Sequence, residues 1–196
     1  MALAFKGVTY ESRPVNLSQG GQKEEAFRSI SPTGYIPCLL IDGRPIVESV
    51  AIVELLDDLY PTPPLYPTDP FLRASVRSFV EAINSGIQPL QNLVVLERVS
   101  QEDEGKKAWA AYFNTIGLAR LETFLERNES AGMGGPYAFG DVLTAADIFL
   151  VPQVYSARRF GVDLAPYARV RRVFEHVAKS EVAQVAWPEQ QPDAPR

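Results

Sequence analysis

Ser31-Pro32-Thr33-Gly34-Tyr35-Ile36-Pro37 opens the run that decides how this chain is read. Pro37 to Ile41 is continuously apolar, the pattern of a strand buried on both faces. Asp42-Gly43 is a two-residue hairpin signal, because both residues tolerate positive φ. Arg44 to Val47 returns as the partner strand. Glu48-Ser49 then opens a helix from Ser49 to Tyr60, with Glu54, Asp57 and Asp58 as one exposed polar stripe.

This unit has the makings of a site for a small peptide that ends in carboxylates. A cis bond before Pro37 would turn the Ile36 amide and carbonyl out of the sheet, where they could pair with an extended peptide as an added strand. Ser49 stands at a helix N-terminus, where free amides and the helix dipole favour a carboxylate. Glu48 beside it can take an ammonium group, and an α-amino-acid head group carries both charges. A plain hairpin followed by an N-capped helix fits the same residues, and the pattern alone does not choose between them.

Upstream, Thr9 to Val15 is β-permissive and follows a Lys6-Gly7 turn, and Gln22 to Ser29 reads as a short helix. The first unit is therefore expected to run strand, helix, strand, strand, helix over residues 1–60. Pro61-Thr62-Pro63-Pro64-Leu65-Tyr66-Pro67 holds four prolines in seven positions, which forbids helix and predicts an extended linker over 61–67. Residues 68–196 read as all-helical, starting at Asp69-Pro70 with an N-cap and a first-turn proline. The expected helices are Phe71 to Asn84, Pro89 to Val99, Glu104 to Arg127, Ala145 to Arg159 and Tyr167 to Lys179. Thr144 and Asp147 are spaced as a capping box, with Leu143 and Ile148 as its hydrophobic staple. The fold class is thus an α/β unit followed by an all-α unit.

Composition narrows the function classes. The chain has 196 residues and a formal charge of -5, which disfavours nucleic acid as a partner but allows a local basic pocket. Cys38 is the only cysteine, so no internal disulfide forms, and it reads as a core filler in its strand. His176 is the only histidine, which removes a His-rich metal site, and its charged helical context reads as a surface or capping position. No apolar run approaches the roughly 20 residues of a membrane helix. The N-terminus lacks the layout of a signal peptide, so a cytoplasmic location is expected.

Ser31 to Pro37 with Glu48-Ser49 resembles the glutathione site of the glutathione transferase fold, a thioredoxin-like domain followed by an all-helical one. Gly86-Ile87-Gln88-Pro89-Leu90-Gln91-Asn92-Leu93 and Val151 to Phe160 are closer still to zeta-class transferases, the maleylacetoacetate isomerases. So are Val162-Asp163-Leu164 and the final Gln191-Pro192-Asp193-Ala194-Pro195. The resemblance implies glutathione as cofactor, with Gln22, Ile36, Pro37, Glu48, Ser49, Gln88, Asn92, Leu93 and Val94 around it. It implies Arg159 as the partner of a substrate carboxylate, leaving Arg158 as a surface charge. Glu48 stands where the family usually has Gln, and Val94 where a serine is common. Pro89 is expected to bend the helix carrying Gln88 and Asn92.

The resemblance also sets an expectation for the start. Met1 to Gly7 matches the last turns of the family's first helix, so the strand before it and the serine that stabilises the glutathione thiolate are expected to lie before Met1. No catalytic residue is therefore assigned within the chain. The implied reaction is glutathione-dependent cis–trans isomerisation of maleylacetoacetate, a small diacid, in aromatic amino-acid breakdown by a cytoplasmic homodimer. A related maleylpyruvate isomerase or transferase, or a non-catalytic truncated relative, is the alternative.

Overall fold

The computed structural model describes residues 1–17, 19–191 and 193–194, so Pro192 and Pro195 of the C-terminal motif lie outside the described residues. The hairpin forms where its turn residues predict it. β1 (Cys38–Ile41) pairs antiparallel with β2 (Arg44–Val47) in the register Cys38 to Val47 through Ile41 to Arg44. Asp42 at φ 49° and Gly43 at φ 74° make the left-handed turn that joins them. α3 (Ser49–Leu59) follows directly and buries Ile52, Val53 and Leu56.

Several expectations for this half need correction. Thr9 to Val15 is not a strand; it is mostly exposed and finds no ladder partner among the described residues, and β-propensity without a partner makes no sheet. β1 is not buried on both faces: Leu40 is 48% exposed, because the described sheet has two strands and its outer face is uncovered. Cys38 is half-buried rather than a core filler, its thiol turned to the Ile30 carbonyl at 3.6 Å and its pKa raised by burial. The short helix expected at Gln22 to Ser29 is a 3-10 turn at Gly21–Lys23 followed by α2 (Glu25–Arg28). At the start of the chain α1 (Ala2–Phe5) packs on α3.

The rest is helical: α4 (Pro70–Asn84), α5 (Leu93–Val99), α6 (Asp103–Ser130), α7 (Ala145–Arg159), α8 (Ala168–Val177) and α9 (Glu181–Val185). Pro89 does more than bend the expected helix. Gln88–Gln91 is a separate 3-10 turn, and Asn92 is extended before α5 begins. α4, α6, α7 and α8 surround the main core, where Phe79 is fully buried and meets Phe124 and Phe139 edge to face. Gly117 on α6 admits Ile87: a Cβ there would clash with the Ile87 side chain. That close approach seats the 88–91 turn against α6.

The proposed exposed stripe on α3 also fails at Asp57. Its carboxylate pairs with the fully buried side chain of Lys6, which donates in addition to the Tyr60 and Pro63 carbonyls at 2.6 Å each. The same carboxylate accepts the Leu65 amide at 2.7 Å and the Tyr66 amide at 3.2 Å. Leu65 is fully buried, and its carbonyl accepts the Ala145 amide that starts α7. The proline-rich segment is thus pinned from both sides.

The capping box at the start of α7 forms. Asp147 accepts the Thr144 amide at 2.9 Å and the Ala138 amide at 2.8 Å, and it is fully buried. His176 is an exposed residue in the last turn of α8, its ring edge to face with Tyr137.

Two outcomes are expected. Asp57→Ala strands the Lys6 charge in the interior and should cost roughly 3–5 kcal/mol; an unchanged denaturation midpoint would contradict the pinning role. Burial pushes the Asp147 carboxyl up to about 6, against the opposing hydrogen bonds from Thr144 and Ala138. Its proton is held more tightly in the folded chain than in the unfolded one. The group's stabilising contribution is therefore complete below about pH 4 and lost as pH rises through about 6. The stability advantage of the wild type over Asp147→Asn should shrink across that window, and a pH-independent difference would refute the assignment.

Candidate functional site

The loop before the hairpin is built to present Ile36. Gly34, at φ 68°, closes a turn by donating to the Ser31 carbonyl at 2.9 Å. Ser31 is fully buried, and its hydroxyl donates to the Tyr35 carbonyl at 3.0 Å. A Cβ on Gly34 would sit 3.2 Å from the Gln22 carbonyl, so this glycine lets Gln22 come up beside the loop. The Ile36-Pro37 peptide is cis, and among the described residues the Ile36 amide and carbonyl make no hydrogen bond.

The other edge is the start of α3. Glu48 holds φ 72° and ψ 120°, a region that costs a non-glycine residue on the order of 1–3 kcal/mol and persists where the surroundings impose it. The turn sends the chain from β2 straight into α3. Its carbonyl accepts the Ile52 amide at 2.9 Å, so the Ser49, Val50 and Ala51 amides have no intrahelical partner. Gln22 adds an observation that points to a ligand: its Oε1 is buried with no donor among the described residues. An unmatched buried acceptor costs about 1–3 kcal/mol, which a ligand N–H would recover.

These features open onto one cleft of about 1000 Å³ between the hairpin unit and the helices. Gln22, Ile36, Pro37, Glu48 and Ser49 form its first wall. Gln88, Asn92, Leu93 and Val94 belong to the facing wall, with Gln88 Nε2 donating to Asn92 Oδ1 at 3.0 Å. Leu93 and Val94 are 46% and 56% exposed and give the mouth an apolar rim. Every residue expected to surround a cofactor therefore lines the same space. Arg159 does not line it. It is exposed at the end of α7, where its charge acts on the Tyr155 hydroxyl that donates to Glu189 at 2.6 Å. Arg158 is exposed and stacks over Phe174.

Sequence reasoning missed the other half of the lining. Lys23 and Arg28 bring positive charge to it, Phe149 and Pro152 an apolar surface, and Gln91, Gln153 and Ser156 a polar floor. The signal for the floor lay in the two motifs from Gly86 and from Val151, where polar residues interrupt apolar helix faces. Chemically, the first wall offers backbone pairing and free amides for an extended anionic peptide. The second offers amides, a hydroxyl and an apolar surface for a smaller molecule. Described residues include no group of three His, Cys, Asp or Glu side chains able to hold a metal ion.

Removing the Ser31 hydroxyl should leave the Tyr35 carbonyl without this donor. Ser31→Ala is expected to lose about 0.5–1.5 kcal/mol of unfolding free energy, and a loss below the error of denaturant titration would contradict the loop-closing role.

Comparison with known proteins gives a consistent result. Residues 1–59 match the glutathione S-transferase N-terminal domain model, and residues 94–176 match the C-terminal domain model. A maleylacetoacetate isomerase of Mus musculus is 45% identical over 197 residues, covering 100% of this chain and 88% of its own length. A bacterial zeta-class maleyl pyruvate isomerase superimposes with a TM-score of 0.94 at 36% identity, covering 99% of this chain and 92% of that one. A maleylacetoacetate isomerase from Anaeromyxobacter dehalogenans, solved with glutathione bound in its active site, superimposes with a TM-score of 0.87 at 43% identity, covering 99% and 90%.

Proposed function

The chain belongs to the glutathione S-transferase family, within its zeta-class maleylacetoacetate isomerases, and from that premise we propose that its cleft binds glutathione and supports isomerisation of maleylacetoacetate to fumarylacetoacetate. The observation that carries this reading is the convergence of three unmet hydrogen-bonding features on one wall. These are the Ile36 backbone, the amides opening α3 and the buried Gln22 Oε1. Glutathione is a short peptide with two carboxylates and an ammonium group, which suits all three.

The residues divide the work by chemistry. Ile36 pairs with the middle of the peptide, as a strand edge does. The Ser49 hydroxyl and the amides of the first turn of α3 hold the γ-glutamyl carboxylate, and Glu48 holds its ammonium. Gln22 accepts a peptide N–H. Gln88 and Asn92 close over the peptide from the facing wall. When bound, glutathione supplies the sulfur nucleophile whose reversible addition frees a conjugated double bond to rotate. The protein's part is to fix the peptide, seat the diacid beside it and exclude water with Phe149, Pro152, Leu93 and Val94. We assign no thiol-activating residue within 1–196 and, because Arg159 lies outside the cleft lining, no substrate carboxylate to it.

We assign residues 1–60 to the glutathione-binding domain, 61–67 to the linker and 68–196 to the helical domain. Exposed Leu59, Tyr60 and Phe71 flank that linker and support a homodimer. No helix of the described residues is long and apolar enough to cross a membrane; the cytoplasmic role in aromatic amino-acid breakdown is proposed from the family alone. The superposition on a maleyl pyruvate isomerase favours maleylpyruvate as the second diacid to assay.

Calorimetric titration with glutathione should give saturable binding, and Ser49→Ala should weaken it about tenfold, the worth of one charge-assisted hydrogen bond. Conversion of maleylacetoacetate should require glutathione. Absence of glutathione binding overturns the proposal; binding without conversion favours a non-catalytic member of the family.

A further inference from the structure

A buried amide cluster backs the floor of the cleft. Asn114 on α6 is fully buried, and Gln153 on α7 is 3% exposed. Gln91, Gln153 and Ser156 line the cleft, and Asn114 stands behind them.

The direction of every amide follows from one fixed point. The Ala110 carbonyl can only accept, and Asn114 Nδ2 donates to it at 2.8 Å. The second proton of Nδ2 goes to Gln91 Oε1 at 2.9 Å. Asn114 must then turn its Oδ1 to Gln153, whose Nε2 donates at 2.6 Å. Gln91 Oε1 also accepts the Ser156 hydroxyl at 3.1 Å, and Gln91 Nε2 donates to Gln153 Oε1 at 3.3 Å.

Counting donors and acceptors leaves a surplus of one kind. All three amide oxygens are engaged inside the cluster. Both protons of Asn114 are spent, while Gln91 and Gln153 each keep one N–H without a partner in the cluster. The floor therefore holds spare donors, carries no charge of its own, and lies in a cleft that Lys23 and Arg28 also line. Such a floor suits the acceptor oxygens of a small anion, because unspent buried N–H groups gain most from a charged acceptor.

We propose that Asn114 is a positioning residue that keeps the Gln91 and Gln153 carbonyls turned inward, so that their free N–H groups bind the oxygens of the second substrate, a small dicarboxylate. The inference rests on the cofactor-plus-diacid reading of the cleft. It adds residues for the diacid that lie inside the cleft, unlike Arg159. An apolar residue at 114 would let both glutamines rotate and offer oxygen instead of N–H to the anion.

The test uses malonate as probe on the glutathione-loaded protein. In the wild type, malonate should shift the side-chain amide signals of Gln91 and Gln153 in nitrogen–proton NMR spectra. Asn114→Leu should weaken malonate binding about tenfold or more while changing the glutathione dissociation constant less than about twofold. Malonate binding that leaves both amide signals unmoved overturns the proposal, and that reading needs no variant to fold. An Asn114→Leu protein with unchanged malonate affinity overturns it as well. Glutathione binding with no malonate binding sinks this inference alone; loss of both sinks the functional reading together with it.

Discussion

The carboxylate of Asp57 joins the two halves of this molecule, and the cleft depends on that joint. It takes the buried Lys6 ammonium on one side and two amides of the proline-rich segment on the other. A buried charge must be matched closely, so the end of α3, α1 and residues 63–66 have little freedom to shift separately. The Leu65 carbonyl passes the constraint to Ala145 and hence to α7. α3 begins at one wall of the cleft, and α7 carries Gln153 and Ser156 on the floor. This chain of hydrogen-bonding groups, from Lys6 through Asp57 and Leu65 to Ala145, therefore ties the wall at the start of α3 to the floor.

Within that frame the cleft separates two recognition problems. The first wall relies on backbone: the Ile36 peptide, without a hydrogen bond among the described residues, the first amides of α3, without intrahelical partners, and a turn at Glu48 that aims the helix. Backbone recognition suits a peptide of constant structure. The floor relies on side-chain amides oriented from one backbone carbonyl. Amides in a closed network rotate only together, so they can discriminate a substrate by its pattern of acceptors. Family membership assigns the peptide to glutathione, and the second molecule to a diacid, on the proposal made above.

The sequence made local chemistry legible and left its assembly obscure. Asp42-Gly43, Asp69-Pro70 and the Thr144–Asp147 box each carry their signal within four residues, and all three form. The residues expected around the peptide line one cleft, and two short motifs hold most of them. Asp57 was misread because its partner, Lys6, lies 51 residues away, and a period-3.6 pattern cannot tell a solvated carboxylate from one that binds a distant lysine. Leu40 was misread because an apolar run records what a strand would tolerate, not what covers it. Asn114 was overlooked for the same reason as Asp57. Its partners lie 23 and 39 residues away, and nothing local marks a buried asparagine on a long helix.

The central claim is that one cleft holds glutathione on backbone groups and a diacid on amide groups at the same time. A crystal structure of the protein grown with glutathione and malonate tests it most directly. The account predicts the peptide paired with Ile36, its γ-glutamyl carboxylate on the Ser49 and Val50 amides, and malonate within hydrogen-bond reach of Gln91 and Gln153. Glutathione lying away from the start of α3, or malonate taking the Ser49 position in its place, would contradict it.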